Sequence, residues 1–146
     1  MSRALTQAAA AEAMDEVPVG AVLVSAEGKI LAEAHNRTIT NSDPCAHAEI
    51  EALRKAGQTM GNYRLLNTTL YVSLEPCAMC AMALVHARIK RLVYAAADPK
   101  TGACGSVFNL LDDPRHNHRV TVDRGLMEKQ ASEMLTAYFK AKRSRA

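Results

Sequence analysis

Two short segments constrain this chain of 146 residues more than any other part of it. The first contains His47 and Glu49, and the second contains Cys77 and Cys80 directly after Pro76. Two cysteines spaced i and i+3 on the first turn of a helix point the same way, so both sulfur atoms can reach one ion. His47 offers a ring nitrogen as a third ligand. A fold that uses all three ligands must bring two distant parts of the chain together.

This ligand set predicts a catalytic zinc site. Three protein ligands on a tetrahedral zinc leave the fourth position to water, which is the arrangement of catalytic rather than structural sites. Glu49 lies two residues from His47, so it points to a different part of the helical turn and can transfer protons. The spacing also allows a redox motif, although that motif needs no upstream histidine. A structural site would result if Cys45 or Cys104 completed the shell.

Length and composition predict a single domain, residues 1–146, with a substantial core. Hydrophobic residues make up 49% of the chain, yet no apolar run is long enough to cross a membrane. The N-terminal sequence is alanine-rich and amphipathic, unlike the apolar region of a signal peptide. We therefore expect a cytoplasmic protein without a membrane partner, whose four cysteines are metal ligands and buried thiols.

The hydrophobic pattern alternates strands with helices. Strands are predicted at residues 20–25, 29–34, 69–73, 91–96 and 120–123. Helices are predicted at residues 2–14, 46–57, 77–87, 107–111 and 126–143, with Ser2 as a possible N-cap and Gly57 as the stop of the second. This order predicts an α/β domain with helices on both faces of a mixed sheet whose first pair is a hairpin. The metal site then lies where helices follow strands, the usual position in open α/β sheets.

The last predicted helix has an apolar face and a basic end. Its apolar face consists of Met127, Ala131, Met134, Leu135 and Tyr138, which we expect to pack on the sheet. The end carries four basic side chains and no acidic one: Lys140, Lys142, Arg143 and Arg145. These side chains are either a solvated tail or a surface for nucleic-acid phosphates.

Histidine-x-glutamate followed by proline-cysteine-x-x-cysteine is the signature of zinc-dependent base deaminases. Around it, residues 16–22, 46–50, 63–65, 70–72, 74–80 and 98–102 resemble the bacterial tRNA-specific adenosine deaminases, so that the resemblance covers nearly the whole chain. The resemblance implies a three-layer α-β-α cytidine deaminase-like fold with a five-stranded mixed sheet. It also implies one Zn²⁺ per subunit and a homodimer. The implied reaction is deamination of adenosine to inosine at the wobble position of a tRNA anticodon stem-loop.

The same resemblance implies roles for individual residues. It makes His47, Cys77 and Cys80 the zinc ligands, Glu49 the proton shuttle, Asn36 a ligand of the target base, and Asp98 and Lys100 contacts to neighbouring nucleotides. Without the resemblance, Asn36 would be interpreted as part of an Asx-turn, and Asp98 with Lys100 as a solvated turn. His116 and His118 resemble a loop at the substrate entrance. Cys45 and Cys104 depart from the family pattern, and we interpret them as small packing residues.

Two other functions remain open at this level. A free-nucleoside or nucleobase deaminase would share the metal site but would need no basic surface. A zinc-bearing binding module without activity would hold its metal with four protein ligands. Activity on a small substrate without RNA distinguishes the first, and the number of protein ligands distinguishes the second.

Overall fold

The computed structural model describes residues 1–146, which form five strands and four α-helices. The strands are β1 (Gly20–Val24), β2 (Ile30–His35), β3 (Thr69–Leu74), β4 (Arg91–Ala96) and β5 (Thr121–Arg124). The helices are α1 (Ser2–Ala13), α2 (Ala48–Met60), α3 (Ala78–His86) and α4 (Glu128–Arg145), with one 3-10 turn at Leu110–Asp112. None of the helices combines the length and apolar character that a membrane span requires.

The five strands form one mixed sheet in the order β2-β1-β3-β4-β5. Strand β1 runs antiparallel to both β2 and β3, whereas β3, β4 and β5 run parallel to one another. Four strands, β2 to β5, therefore point in one direction and end at the same edge of the sheet. This edge carries the starts of α2 and α3, which follow β2 and β3 in the chain. The predicted mixed sheet with a first hairpin is confirmed.

Helices cover both faces of the sheet, which gives the expected three layers. Alanines of α2 and the side chains of Ala81, Leu84 and Val85 in α3 join the main hydrophobic core. A smaller cluster lies under α4, where Ala131 packs beside Ala95 and Ala96. Helix α1 lies close to β1 because Gly20 has no side chain; a Cβ there would collide with the backbone of α1.

The structure corrects the predicted ends of α2. The helix begins at Ala48, so His47 is its N-cap residue rather than a member of the first turn. It continues through Gly57 to Met60 and ends at Gly61, which has a left-handed φ of 64°. Glycine within a helix costs only about 1 kcal/mol relative to alanine, so Gly57 alone does not end the helix. The positive φ of Gly61 is the conformation that ends helices.

Three smaller predictions are also corrected. Ser2 is the first helical residue of α1 and Met1 is the N-cap. The predicted helix at 107–111 is reduced to the 3-10 turn, because Asn109 instead forms an isolated bridge with Cys104. Helix α4 starts after Met127, whose φ of 58° is left-handed and so cannot belong to a right-handed helix. The edge position predicted for β5 is confirmed.

Candidate active site

His47 and Cys77 are the N-cap residues of α2 and α3, and this position directs both side chains to one point. Both have extended backbones, with ψ angles of 156° and 176°, and neither side chain caps its own helix. Their donor atoms are therefore free to bind a ligand at the edge of the sheet. Cys80 follows on the first turn of α3 and is fully buried.

The three predicted ligands form a cluster whose dimensions fit zinc. The Nδ1 atom of His47 lies 3.6 Å from the sulfur of Cys77 and 3.5 Å from that of Cys80. Tetrahedral zinc, with bonds of about 2.3 Å to sulfur and about 2.0 Å to nitrogen, separates such atoms by about 3.5 Å. No other histidine, cysteine or acidic side chain joins the cluster. Cys45 and Cys104 therefore do not close the shell, which argues against the structural-zinc alternative.

Among the protein groups alone, the surroundings of the two cysteines shift their pKa values in opposite directions. A hydrogen bond from Cys80, assisted by one with His47, lowers the pKa of Cys77 to about 4 against the opposing effect of burial. The hydrogen bond with Cys77 and burial both raise the pKa of Cys80. The hydrogen bond with Cys77 also raises the pKa of His47, although burial opposes it. A thiolate held beside a histidine is the donor chemistry that a zinc ion requires.

Glu49 lies in the first turn of α2, outside the ligand cluster, and only 3% of it is exposed. Burial raises the pKa of its carboxyl group above the ordinary value. A carboxyl group whose pKa is shifted toward neutrality both accepts and releases protons efficiently near pH 7. Its position and environment support the predicted role as proton shuttle.

Asn36 directly follows β2 and is tied to both neighbouring elements. Its backbone N–H donates to the carbonyl of Val19 at 3.1 Å, and its Oδ1 accepts the N–H of Ala48 at 2.8 Å. A partner twelve residues away is not an Asx-turn, so the local alternative does not apply. Because the amide oxygen is occupied, the amide nitrogen is the group that can donate to a ligand.

A cavity of about 470 Å³ brings most of the predicted site residues together. It is lined by Asn36, His47, Glu49, Cys77, Asp98 and Lys100, and the remaining ligand, Cys80, is buried beside it. Its other lining residues are Val17, Val19, Leu74, Glu75, Thr101, Phe139 and Arg143. Of these, only Arg143 was considered from the sequence, as one of four possible phosphate contacts. His116 and His118 lie outside this cavity, and each ring meets a backbone carbonyl, of Leu110 and Ile89 respectively.

Asp98 and Lys100 lie together on one wall, but their side chains are engaged differently. The carboxylate of Asp98 accepts hydrogen bonds from the N–H groups of Lys100 and Thr101 and from the Thr101 hydroxyl at 2.8 Å. It therefore shapes its own turn as well as lining the cavity. Lys100 is exposed and forms no salt bridge, so its charge is available to a ligand.

Glu75, which also lines the cavity, stabilises the loop that carries Asp98 and Lys100. Its carboxylate accepts the backbone N–H groups of Asp98, Cys104 and Ser106 at 3.0 to 3.1 Å. Gly102 packs against it so closely that a Cβ at that position would overlap the carboxylate. In the sequence, only the position of Glu75 immediately before Pro76 and Cys77 indicates that it lies near the site. The backbone groups that its carboxylate binds could not be predicted, because they are more than twenty residues away.

The comparisons with known proteins agree with this geometry. Residues 1–96 match the family described as the cytidine and deoxycytidylate deaminase zinc-binding region. A tRNA-specific adenosine deaminase of Haemophilus influenzae is 52% identical over 143 residues, which cover 98% of this chain and 83% of that protein. Its counterpart in Bacillus subtilis is 43% identical over 145 residues, which cover 99% of this chain and 89% of that protein.

Solved structures share the fold, and the tRNA deaminase among the following two superposes better. One from a study of A-to-I editing by tRNA:A34 deaminases at the wobble position of transfer RNA is 46% identical. It superposes with a TM-score of 0.89 over 92% of this chain and 97% of that chain. A guanine deaminase of Bacillus subtilis is 34% identical, with a TM-score of 0.65 over 99% of this chain and 92% of that chain. The chain therefore belongs to the tRNA-specific adenosine deaminase family.

Proposed function

We propose that this protein deaminates adenosine to inosine at the wobble position of a tRNA anticodon. The observation that carries the proposal is that the zinc-ligand cluster, the buried Glu49 and the amide nitrogen of Asn36 meet at one cavity. The reaction is a hydrolysis: water and adenosine are consumed, and inosine and ammonia are released.

The residues of the chain divide the chemistry among them. Zinc held by His47, Cys77 and Cys80 supplies a Lewis acid that lowers the pKa of water to about 7. Glu49 takes a proton from the attacking water as the water adds to C6 of adenine, and transfers that proton to the base ring. The same carboxylate then takes the second proton from the hydroxyl group now on C6 and delivers it to the amine. The C6–N bond breaks, ammonia leaves, and the oxygen on C6 becomes the carbonyl of inosine. The raised pKa of Glu49 suits it to hold and release the proton in turn.

Asn36 orients the base in this scheme. Its Nδ2 group donates a hydrogen bond to a ring nitrogen, while its Oδ1 remains bound to Ala48. A side chain anchored by its own acceptor loses little conformational freedom when a ligand binds. The cavity volume of about 470 Å³ is within the usual range for small-ligand sites, so a single extruded base can be enclosed.

A second cavity next to the first is evidence for an RNA substrate rather than a free base. A neighbouring cavity of about 400 Å³ shares Asp98, Lys100, Phe139 and Arg143 with the first and continues along α4. An exposed aromatic ring that lines a cavity together with two cationic side chains is typical of sites that stack and neutralise single-stranded nucleic acid. Anticodon bases are already unpaired, so extruding one costs little. A nucleobase deaminase would have no use for this extension.

We also propose that the protein is a homodimer. Met60, Tyr63 and Leu66 are 55%, 66% and 60% exposed, respectively, although each has a large apolar side chain. They lie next to an open cavity between the end of α2 and α3, which is lined by Leu53, Leu65, Ala83 and Ala87 among others. Exposed apolar surface of this kind marks a protein interface. A second copy of the chain is the occupant that we propose.

An anticodon stem-loop with adenosine at the wobble position tests the proposed function. We expect inosine at that position only, and no product from the same stem-loop with the adenosine moved elsewhere in the loop. Free adenosine, adenine, guanine and cytosine serve as the comparison. Conversion of a free base at a rate equal to that of the stem-loop would favour a nucleobase deaminase instead.

A further inference from the structure

Three acidic side chains are buried in this protein, and only one of them neither takes part in the mechanism above nor lines the cavity. Glu16, Glu49 and Glu75 are 0%, 3% and 2% exposed, respectively. Glu49 and Glu75 line the cavity, whereas Glu16 lies behind its wall, immediately before Val17. A carboxylate removed from water is unfavourable unless its oxygens are hydrogen-bonded, so its partners indicate its role.

All hydrogen-bond partners of the Glu16 carboxylate belong to the loop between β2 and α2. Its Oε1 accepts the hydroxyl of Thr38 at 3.3 Å and the backbone N–H of Ile39 at 3.2 Å. Its Oε2 accepts the backbone N–H of Thr40 at 2.6 Å and the Thr40 hydroxyl at 2.7 Å. Burial opposes ionisation, but these hydrogen bonds outweigh it and lower the pKa of Glu16. The carboxylate is therefore a charged acceptor for four donors of one loop.

The loop that Glu16 holds carries two residues of the site. It begins at Asn36 and leads to His47 at the start of α2. The backbone N–H of Asn36 is bound to Val19, which lies with Glu16 in the short segment that precedes β1. The side chain of Asn36 is bound to Ala48 at the start of α2. Glu16 thus ties the loop to the segment whose Val17 and Val19 form the facing cavity wall.

We infer that Glu16 is a positioning residue for deamination, which fixes the Asn36 loop so that the Asn36 amide meets the target base in a reactive orientation. The inference rests on the proposed function, and it adds a residue outside the metal cluster and outside the cavity. The effect is transmitted through the loop backbone, because Glu16 itself does not contact the base. Misplacing a reacting group by about 1 Å from a distant site can lower a rate about a hundredfold.

The hydrogen-bond pattern makes glutamine a sharp test at this position. Each carboxylate oxygen accepts one backbone N–H, and a backbone N–H cannot reverse its direction as a threonine hydroxyl can. The amide nitrogen of a glutamine therefore faces a backbone donor in either orientation. Glu16→Gln changes few atoms, yet the backbone N–H of either Ile39 or Thr40 must lose its hydrogen bond to this side chain.

The decisive experiment is a double-mutant cycle with Asn36→Ala, assayed in single turnover on the wobble stem-loop. We expect Glu16→Gln to lower kcat about tenfold to a hundredfold, with KM for the RNA changed less than about threefold. In the Asn36→Ala background the same change should cost less than about threefold, because the side chain through which Glu16 acts is already gone. Equal losses in both backgrounds would overturn the inference, since they would assign Glu16 a general structural effect.

A measurement without substrate separates this inference from the proposed function. Hydrogen exchange of the Ile39, Thr40 and Ala48 amides should be faster in Glu16→Gln, and unchanged exchange would overturn the inference. Thr40→Val removes a single donor and should show a smaller change in the same direction, which provides a test if Glu16→Gln folds poorly. Glu27→Gln, on the exposed hairpin turn, is the matched control and should resemble the unchanged protein. Deamination by the unchanged protein tests the proposed function by itself.

Discussion

The same carboxyl group behaves differently at Glu16 and Glu49 because of its neighbours. Glu49 is buried beside the cysteines with few donors, so burial dominates and raises its pKa. Glu16 is also shielded from solvent but lies less deep in the protein, and its four donors outweigh burial and lower its pKa. Whether a carboxyl group is suited to proton transfer therefore depends on its depth of burial and on the donors aimed at it together.

Replacing a ligand should remove the metal. In Cys77→Ser we expect zinc content to fall well below one per chain, because a serine hydroxyl does not replace a thiolate ligand. The melting temperature should fall too, since the ion links the starts of α2 and α3. Metal analysis and thermal unfolding measure both effects. Cys45→Ser, outside the cluster, is the matched control, and full zinc in Cys77→Ser would contradict the ligand assignment.

Glu49→Gln should separate binding from catalysis. The amide has the size of the carboxyl group but cannot carry protons, so turnover should fall by at least about a hundredfold to ten-thousandfold. Zinc content and affinity for the stem-loop should stay unchanged, because Glu49 lies outside the ligand cluster. Inosine formation at a normal rate would assign the proton transfer to another group.

Glu16 should also contribute a pH-dependent stability. Its folded-state pKa lies below that of the unfolded chain, so the folded state binds this proton less tightly. The stabilisation is fully present above the unfolded pKa of about 4.3 and is lost as pH falls through the folded pKa. Urea unfolding at several pH values between 7 and 3 measures the free energy of unfolding of the unchanged protein and of Glu16→Gln. The difference between the two free energies should become smaller as the pH falls. A constant difference would argue against this linkage.

At the scale of elements, α4 joins the rest of the fold at two places. Ala131 and Tyr138 are buried, as predicted for the apolar face, and Leu135 packs on the main core. At its end, Lys142 lies 3.1 Å from Asp15, and the Tyr138 hydroxyl donates to the Asp15 carbonyl. The helix continues through Arg145, so its basic residues lie on a helix rather than on an irregular tail.

The basic residues of α4 should therefore not contribute equally to RNA binding. Arg143 lines the cavity, whereas Lys142 and Arg145 lie within 4 Å of Asp15. Arg143→Ala should weaken stem-loop binding and reduce the salt slope by about 0.7, the value for one lost phosphate contact on a single strand. Lys142→Ala removes the same charge and is the matched control, with little expected change. Equal slopes in the two variants would mean that only the total charge matters.

At the scale of the whole molecule, the proposed homodimer depends on the exposed apolar residues beside α2 and α3. Tyr63→Glu together with Leu66→Glu should yield monomers, because two charges cannot be buried in an apolar interface without partners. Light scattering coupled to size-exclusion chromatography measures the mass. Ile39→Glu, another exposed apolar position, is the control and should not change it. A monomeric unchanged protein would contradict the proposal.

Local patterns in the sequence were sufficient for the element order, the first hairpin and the two cysteine ligands. Strand β4 matches its prediction at both ends, because its apolar run is bounded by strong polar and turn residues. The two cysteines were predictable because their spacing on a helix turn is a short-range property. His47, thirty residues upstream, was joined to them only by the deaminase signature. Helix ends were less predictable, as Gly57 and Gly61 show, since both residues permit a stop and only one adopts the left-handed conformation.

The surroundings of the site depend on contacts between residues far apart in the chain. Phe139 and Arg143 reach the cavity because α4 packs across β4 and is held at Asp15. Glu16 and Glu75 bind loops more than twenty residues away, so no local pattern reveals their partners. The metal ligands could be identified from the cysteine spacing together with the deaminase signature. Which carboxyl group shuttles protons and which ones hold loops follows from the burial and the donors that folding gives to each of them.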